Sequence, residues 1–278
     1  MKGSAEDLPQ QTSSGDPWQD LRLYTSARIA QGRSGASLPT QPMLAFQLAH
    51  AQARDAVHLP FDAIGISTDI AGIAGDSQLE VLHVHSAAAD RDIYLRRPDL
   101  GRRLDAASRQ QLTQRPAPAA SYDIAFVIAD GLSALAVHQH AVPVFKLARQ
   151  ALLQAGWRIA PLALAEQARV ALGDEIGELL GTAQIAMLIG ERPGLSSADS
   201  LGIYLTHAPR VGRNDAERNC ISNVRPQGGL DYAQAAHKLV WLALEARRRK
   251  LTGVALKDES EQHSLLVADS FVLADGLS

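Results

Sequence analysis

Three polar turns carry the residues best placed for ligand chemistry: Asp130-Gly131-Leu132-Ser133, Gly190-Glu191-Arg192-Pro193-Gly194 and Thr206-His207-Ala208-Pro209-Arg210. Each follows a short apolar run that reads as a strand. In parallel α/β sheets, ligands bind beyond the carboxyl ends of the strands, so the pattern predicts all three turns on one edge of a sheet. Glu191 offers acceptors for amides or hydroxyls, and Arg192 offers a planar fork for a phosphate or carboxylate. The competing reading is a Glu–Arg pair that ties the turn down.

Other reactive residue types suggest less. His83/His85 and His138/His140 are His-x-His pairs, but no spaced carboxylate or cysteine completes a metal site, and none is expected. Cys220, in Asn219-Cys220-Ile221-Ser222, is the only cysteine; it rules out an intrachain disulfide and reads as a small buried apolar residue rather than a nucleophile. Gly32-Arg33-Ser34-Gly35 follows a helical pattern instead of a strand, which excludes a dinucleotide fingerprint, and neither a Walker sequence nor a Gly-x-Ser-x-Gly elbow occurs. No acid–base or nucleophile set converges, so no catalytic residue is assigned. Two clusters are strongly basic: Arg96-Arg97-Pro98-Asp99-Leu100-Gly101-Arg102-Arg103 and Arg247–Lys250. The first has a Pro–Gly turn at its centre. It reads equally as an anion or partner surface and as a solvated loop.

The elements that must position these residues follow from periodicity. Residues 1–16 are polar and aperiodic and read as a flexible tail. Residues 17–80 read as mostly helical, with one helix entered at Asp16-Pro17 and running towards Gly32, and a second from about Leu44 to Val57. From residue 81 to 278 short apolar runs alternate with helices. Strands are predicted at Val81–His85, Asp123–Asp130, Trp157–Leu164, Ile185–Ile189 and Leu201–Leu205. Helices are predicted at Ser133–Ala155, Asp174–Leu180 and Leu230–Lys250. Leu265–Leu277 adds one more apolar run. This alternation means βαβ units and a parallel sheet flanked by helices.

With 46% hydrophobic and 21% charged residues the chain can bury a core unaided. A net charge of -3 argues against a nucleic-acid partner. No run of 18 apolar residues and no apolar core in the first 20 residues point to an intracellular, cytoplasmic protein without a membrane span.

Five segments together resemble the small (light) subunit of ethanolamine ammonia-lyase. They are Thr25–Gly35 (TSARIAQGRSG), Tyr94–Leu104 (YLRRPDLGRRL), Asp130–Ser133 (DGLS), Ile189–Leu195 (IGERPGL) with Asp199-Ser200-Leu201, and Arg218–Asn223 (RNCISN). The resemblance covers about residues 20–256. It implies a subunit of an adenosylcobalamin enzyme that turns ethanolamine into acetaldehyde and ammonia. It also implies a Rossmann-like domain that grips the cobalamin at the interface with a catalytic large subunit. The family's cofactor contacts fall on Val170, Glu191 and Cys220. The chain lacks Asp-x-His-x-x-Gly, so the cofactor is expected to keep its own lower base. Residues 1–16 lack the amphipathic pattern of the microcompartment-targeting helices of some relatives, and residues 51–78 and 260–278 match no motif. Two alternatives remain: a cobalamin carrier or chaperone without a large partner, and a nucleotide-dependent transferase, which the missing phosphate loops disfavour.

Overall fold

The computed structural model describes residues 18–25, 27–72, 79–118 and 120–261. Its contacts divide the chain after Gln52 into two compact units. In the first, a 3-10 turn at Gln19–Leu23 and a bridge between Ser34 and Ser37 precede α1 (Thr40–His58), which continues past Gln52. The expected helix towards Gly32 is reduced to that single 3-10 turn. Trp18 and Leu21 keep helical spacing, but no apolar stripe continues it, and Ala30 takes a left-handed φ of 53°. The polar tail and Leu265–Leu277 lie outside the described residues.

The second unit is α/β. Its elements are α2 (Ala63–Ala71), β1 (Val81–His85), α3 (Arg91–Arg96), α4 (Ala106–Thr113), β2 (Ala125–Ala129), α5 (Ala134–Gln154), β3 (Leu162–Glu166), α6 (Leu172–Leu179), β4 (Gln184–Gly190), β5 (Leu201–His207), β6 (Arg218–Val224) and α7 (Tyr232–Arg249). The six strands form one sheet in the order β1-β3-β2-β4-β5-β6. β1, β3, β2 and β4 run parallel, as the βαβ pattern requires. β5 and β6 are antiparallel additions, so the sheet is mixed, not wholly parallel. Only ten residues separate β4 from β5, too few for a parallel crossover but enough for a hairpin connection.

Alternation along the strands builds a core on each face. Ile124, Phe126, Ile128, Leu164 and Leu188 meet helices α2, α5 and α7 on one face. Val127, Ala129, Ala165, Met187 and Ile189 meet α4 and α6 on the other. With both faces covered, β2 and β4 are buried at every position, which is why they read as unbroken apolar runs. β6 is an edge strand with mixed burial and a polar sequence, and it escapes the apolar-run criterion. Inside α5, Pro143 removes one helical N–H. Tyr232 of α7 donates its hydroxyl to Gln139 O, the carbonyl left free, at 3.4 Å.

Candidate functional site

The carboxyl ends of β2 and β3 converge on one carboxylate. Asp130 is 2% exposed and directly follows β2. It accepts hydrogen bonds from the amides of Gly131 (2.8 Å), Gln167 (3.0 Å) and Ala168 (3.0 Å), and from Arg91 Nη1 (3.2 Å). Burial pushes its pKa up to about 6, against the opposing pull of the amides and Arg91. Arg91 also donates to Val57 O and Gly131 O, tying the start of α3 to the β2 loop.

Two glycines let the backbones close up. A Cβ on Gly190 would lie 2.0 Å from Ser133 O, and one on Gly131 would lie 2.3 Å from Gly190 O. Leu132 N donates to Gly190 O at 2.9 Å. Ser133 caps α5 through Ala136 N and donates its hydroxyl to Ala198 O at 2.8 Å.

Above this junction lies an open cavity of about 380 Å³. Val170 from the β3–α6 loop and Glu191 from the end of β4 both line it, with Leu132, Arg169, Arg192, Tyr94 and Tyr204. Its mixture of aliphatic walls, two phenols and close-packed glycine backbone suits one side of a large ligand. Tyr94 is fully buried, donates to Ala168 O at 3.0 Å, and has its pKa raised, first by burial. Glu191 is half-buried and heavily engaged. The Ser200 and Ser222 hydroxyls and the Asn223 amide all donate to its carboxylate. The turn acid therefore fastens the β4 exit to β5 and β6, as well as facing the cavity.

Cys220 stands one strand further out. It is paired in register with Tyr204 across the β5–β6 ladder. Partial burial raises the thiol pKa, the Tyr204 contact lowers it and Glu191 raises it again. The expectation of a buried apolar cysteine is corrected: on an edge strand Cys220 is exposed.

The third turn is also corrected. Because β5 is antiparallel, His207 pairs with Gln184 at the amino end of β4, so Thr206–Arg210 lies at the opposite edge. Pro209 there packs against α6, 2.6 Å from the point a Gly177 Cβ would occupy. The second histidine pair has partners within the protein. His138 accepts from Asp62 N, and His140 bonds Tyr232 Oη at 2.9 Å and lies 3.5 Å from Asp199. No group of metal-binding side chains occurs among the described residues. In the arginine-rich segment, Arg97 pairs with Asp99, while Gly101 packs beneath the site. Its carbonyl accepts from Arg169 N, and a Cβ there would meet Arg169 at 2.9 Å and Tyr94 at 3.1 Å. Sequence reasoning placed Asp130 in a candidate turn without giving it a role, and it missed Tyr94 and Arg169 as site builders. The available signal was an acid directly after a buried strand.

The ethanolamine ammonia-lyase light chain (EutC) family matches residues 15–257. The chain belongs to that family. It is 56% identical over 262 residues to the ethanolamine ammonia-lyase small subunit of Ralstonia nicotianae, covering 94% of this chain and 95% of that one. It is 58% identical to the same subunit of Pseudomonas aeruginosa strain UCBPP-PA14, covering 91% of each. The Azotobacter vinelandii small subunit is 56% identical, with 94% and 97% covered. No helix among the described residues is long and apolar enough to cross a membrane.

Proposed function

We propose that this light chain serves as the small subunit of ethanolamine ammonia-lyase, converting ethanolamine to acetaldehyde and ammonia in the cytoplasm together with a large subunit, and that its cavity holds one side of adenosylcobalamin. The observation that carries the reading is the meeting of Val170 and Glu191 in one cavity at the sheet's carboxyl edge, with Cys220 joined to its Tyr204 wall. When bound, the cofactor supplies the radical chemistry that the elimination requires.

This chain's residues bind and orient. Val170, Leu132 and Ile189 give apolar contact, and the Gly131–Gly190 junction keeps the cavity floor low. Glu191 fixes the rim through Ser200, Ser222 and Asn223. Well-formed sites enclose about 70–90% of even a drug-sized ligand, so an open cavity needs a second wall. The large subunit supplies it, with the exposed arginines at 96, 97, 102 and 103 as its docking surface.

The test is a spectroscopic cobalamin titration of the co-purified complex carrying Cys220→Trp. Cys220 is exposed on an edge strand, so the bulky ring does not overpack a core. The expected result is an assembled complex with cobalamin affinity lowered about tenfold or more, equivalent to about 1.4 kcal/mol. Wild-type affinity in that complex would remove Cys220 from the site. Equal affinity in the chain alone would favour a free-standing carrier.

A further inference from the structure

Resting on the cobalamin reading of the cavity, we infer that Arg169 and Arg192 form an anion subsite whose N–H groups donate to the ligand's phosphodiester. Two arginines flank Tyr94, with guanidinium carbons 4.7 Å (Arg91) and 4.2 Å (Arg169) from its ring centroid. Their electrostatic situations differ. Arg91 is neutralised by Asp130. Arg169 lines the cavity, and its hydrogen bond among the described residues is a 3.3 Å contact from Nη2 to Tyr94 O. Its Nε is out of solvent and has no acceptor. A buried, unpaired guanidinium N–H is costly, and the ring face offsets only part of that cost.

Arg192, on the same cavity wall, is exposed and pairs with no carboxylate among the described residues. The one acid among the described lining residues, Glu191, is already occupied by two hydroxyls and an amide. The cavity thus presents two guanidinium groups that have no carboxylate partner among the described residues. Arg169 is held in place by the Tyr94 ring, the Tyr94 carbonyl and the Gly101 packing beneath it. Planar forks of this kind suit two oxygens on one centre, as in a phosphate diester, far better than scattered neutral amides.

The experiment compares cobalamin with cobinamide, which lacks the phosphodiester-linked nucleotide, in the complete two-subunit complex. The variants are Arg169→Met, which keeps the apolar stem over Tyr94, and Arg192→Gln. Each is expected to weaken cobalamin about tenfold or more, to flatten the salt dependence of its binding, and to leave cobinamide unchanged. Equal losses for both ligands, or no loss for either, overturn the phosphodiester assignment. Failure of the wild-type complex to bind cobalamin overturns the cavity reading itself. Melting curves of the variants separate misfolding from lost contact, and restoration of cobalamin affinity by Arg169→Lys supports a charge contact.

Discussion

Asp130 is the residue on which the most backbone depends, and its four donors make two expectations. Asp130→Asn places an amide NH₂ among N–H groups that need acceptors. It should cost about 1–3 kcal/mol at pH 7, measured by denaturant unfolding. The second expectation concerns pH. Burial lifts the folded pKa to about 6 from an ordinary 3.8. A raised carboxyl contributes stability that is fully present below its unfolded pKa and is lost as pH rises through the folded one. Between pH 7 and pH 4, wild type should therefore gain up to about 3 kcal/mol relative to Asp130→Asn. A pH-independent difference would mean that the amides and Arg91 hold the carboxylate at its ordinary value.

At the scale of elements, the junction of the β2 and β4 exits depends on missing side chains. Gly190→Ala drives a Cβ into Ser133 O and Asp130 O, both backbone atoms with little room to yield. The expected loss is about 3 kcal/mol or more, seen as a lower melting temperature. Gly194→Ala, whose Cβ comes no closer than 3.0 Å, to the Ser197 hydroxyl, serves as the mild control. The same elements show what could be read in advance. The core of β2 and Ile185–Ile189 were legible because two-sided burial demands apolar runs, and Val81–His85 because its burial alternates along the strand. β6 was not, since an edge strand carrying Asn219, Ser222 and Asn223 buries too little to mark itself. Strand direction leaves no periodic trace at all, and that is why Thr206–Arg210 was placed at the wrong edge. Glu191 was legible from its turn, whereas its three donors come from β5's entrance and β6, which only the fold brings near.

For the whole molecule, the arrangement speaks against chemistry by this chain alone. Asp130 is buried under four donors, Glu191 is occupied by three, and the Tyr94, Tyr204 and Cys220 pKa values are all raised. Among the described residues that line the cavity, the one carboxylate, Glu191, is already engaged. The purified chain, given ethanolamine and adenosylcobalamin, should release no acetaldehyde above background. Activity that copurifies with this chain, free of any large subunit, would move the chemistry here. The mixed sheet carries a last consequence, for the order in which the molecule assembles. β4, β5 and β6 form a meander in which Gln184 meets His207 and Leu201 meets Val224, while Val81 must find Leu162. Short loops close at less entropic cost than long ones. The rim that holds Glu191, Tyr204 and Cys220 should therefore acquire amide protection before the β1–β3 ladder in pulsed hydrogen exchange during refolding, so that half of the cavity wall stands waiting for the loop of Val170 to arrive.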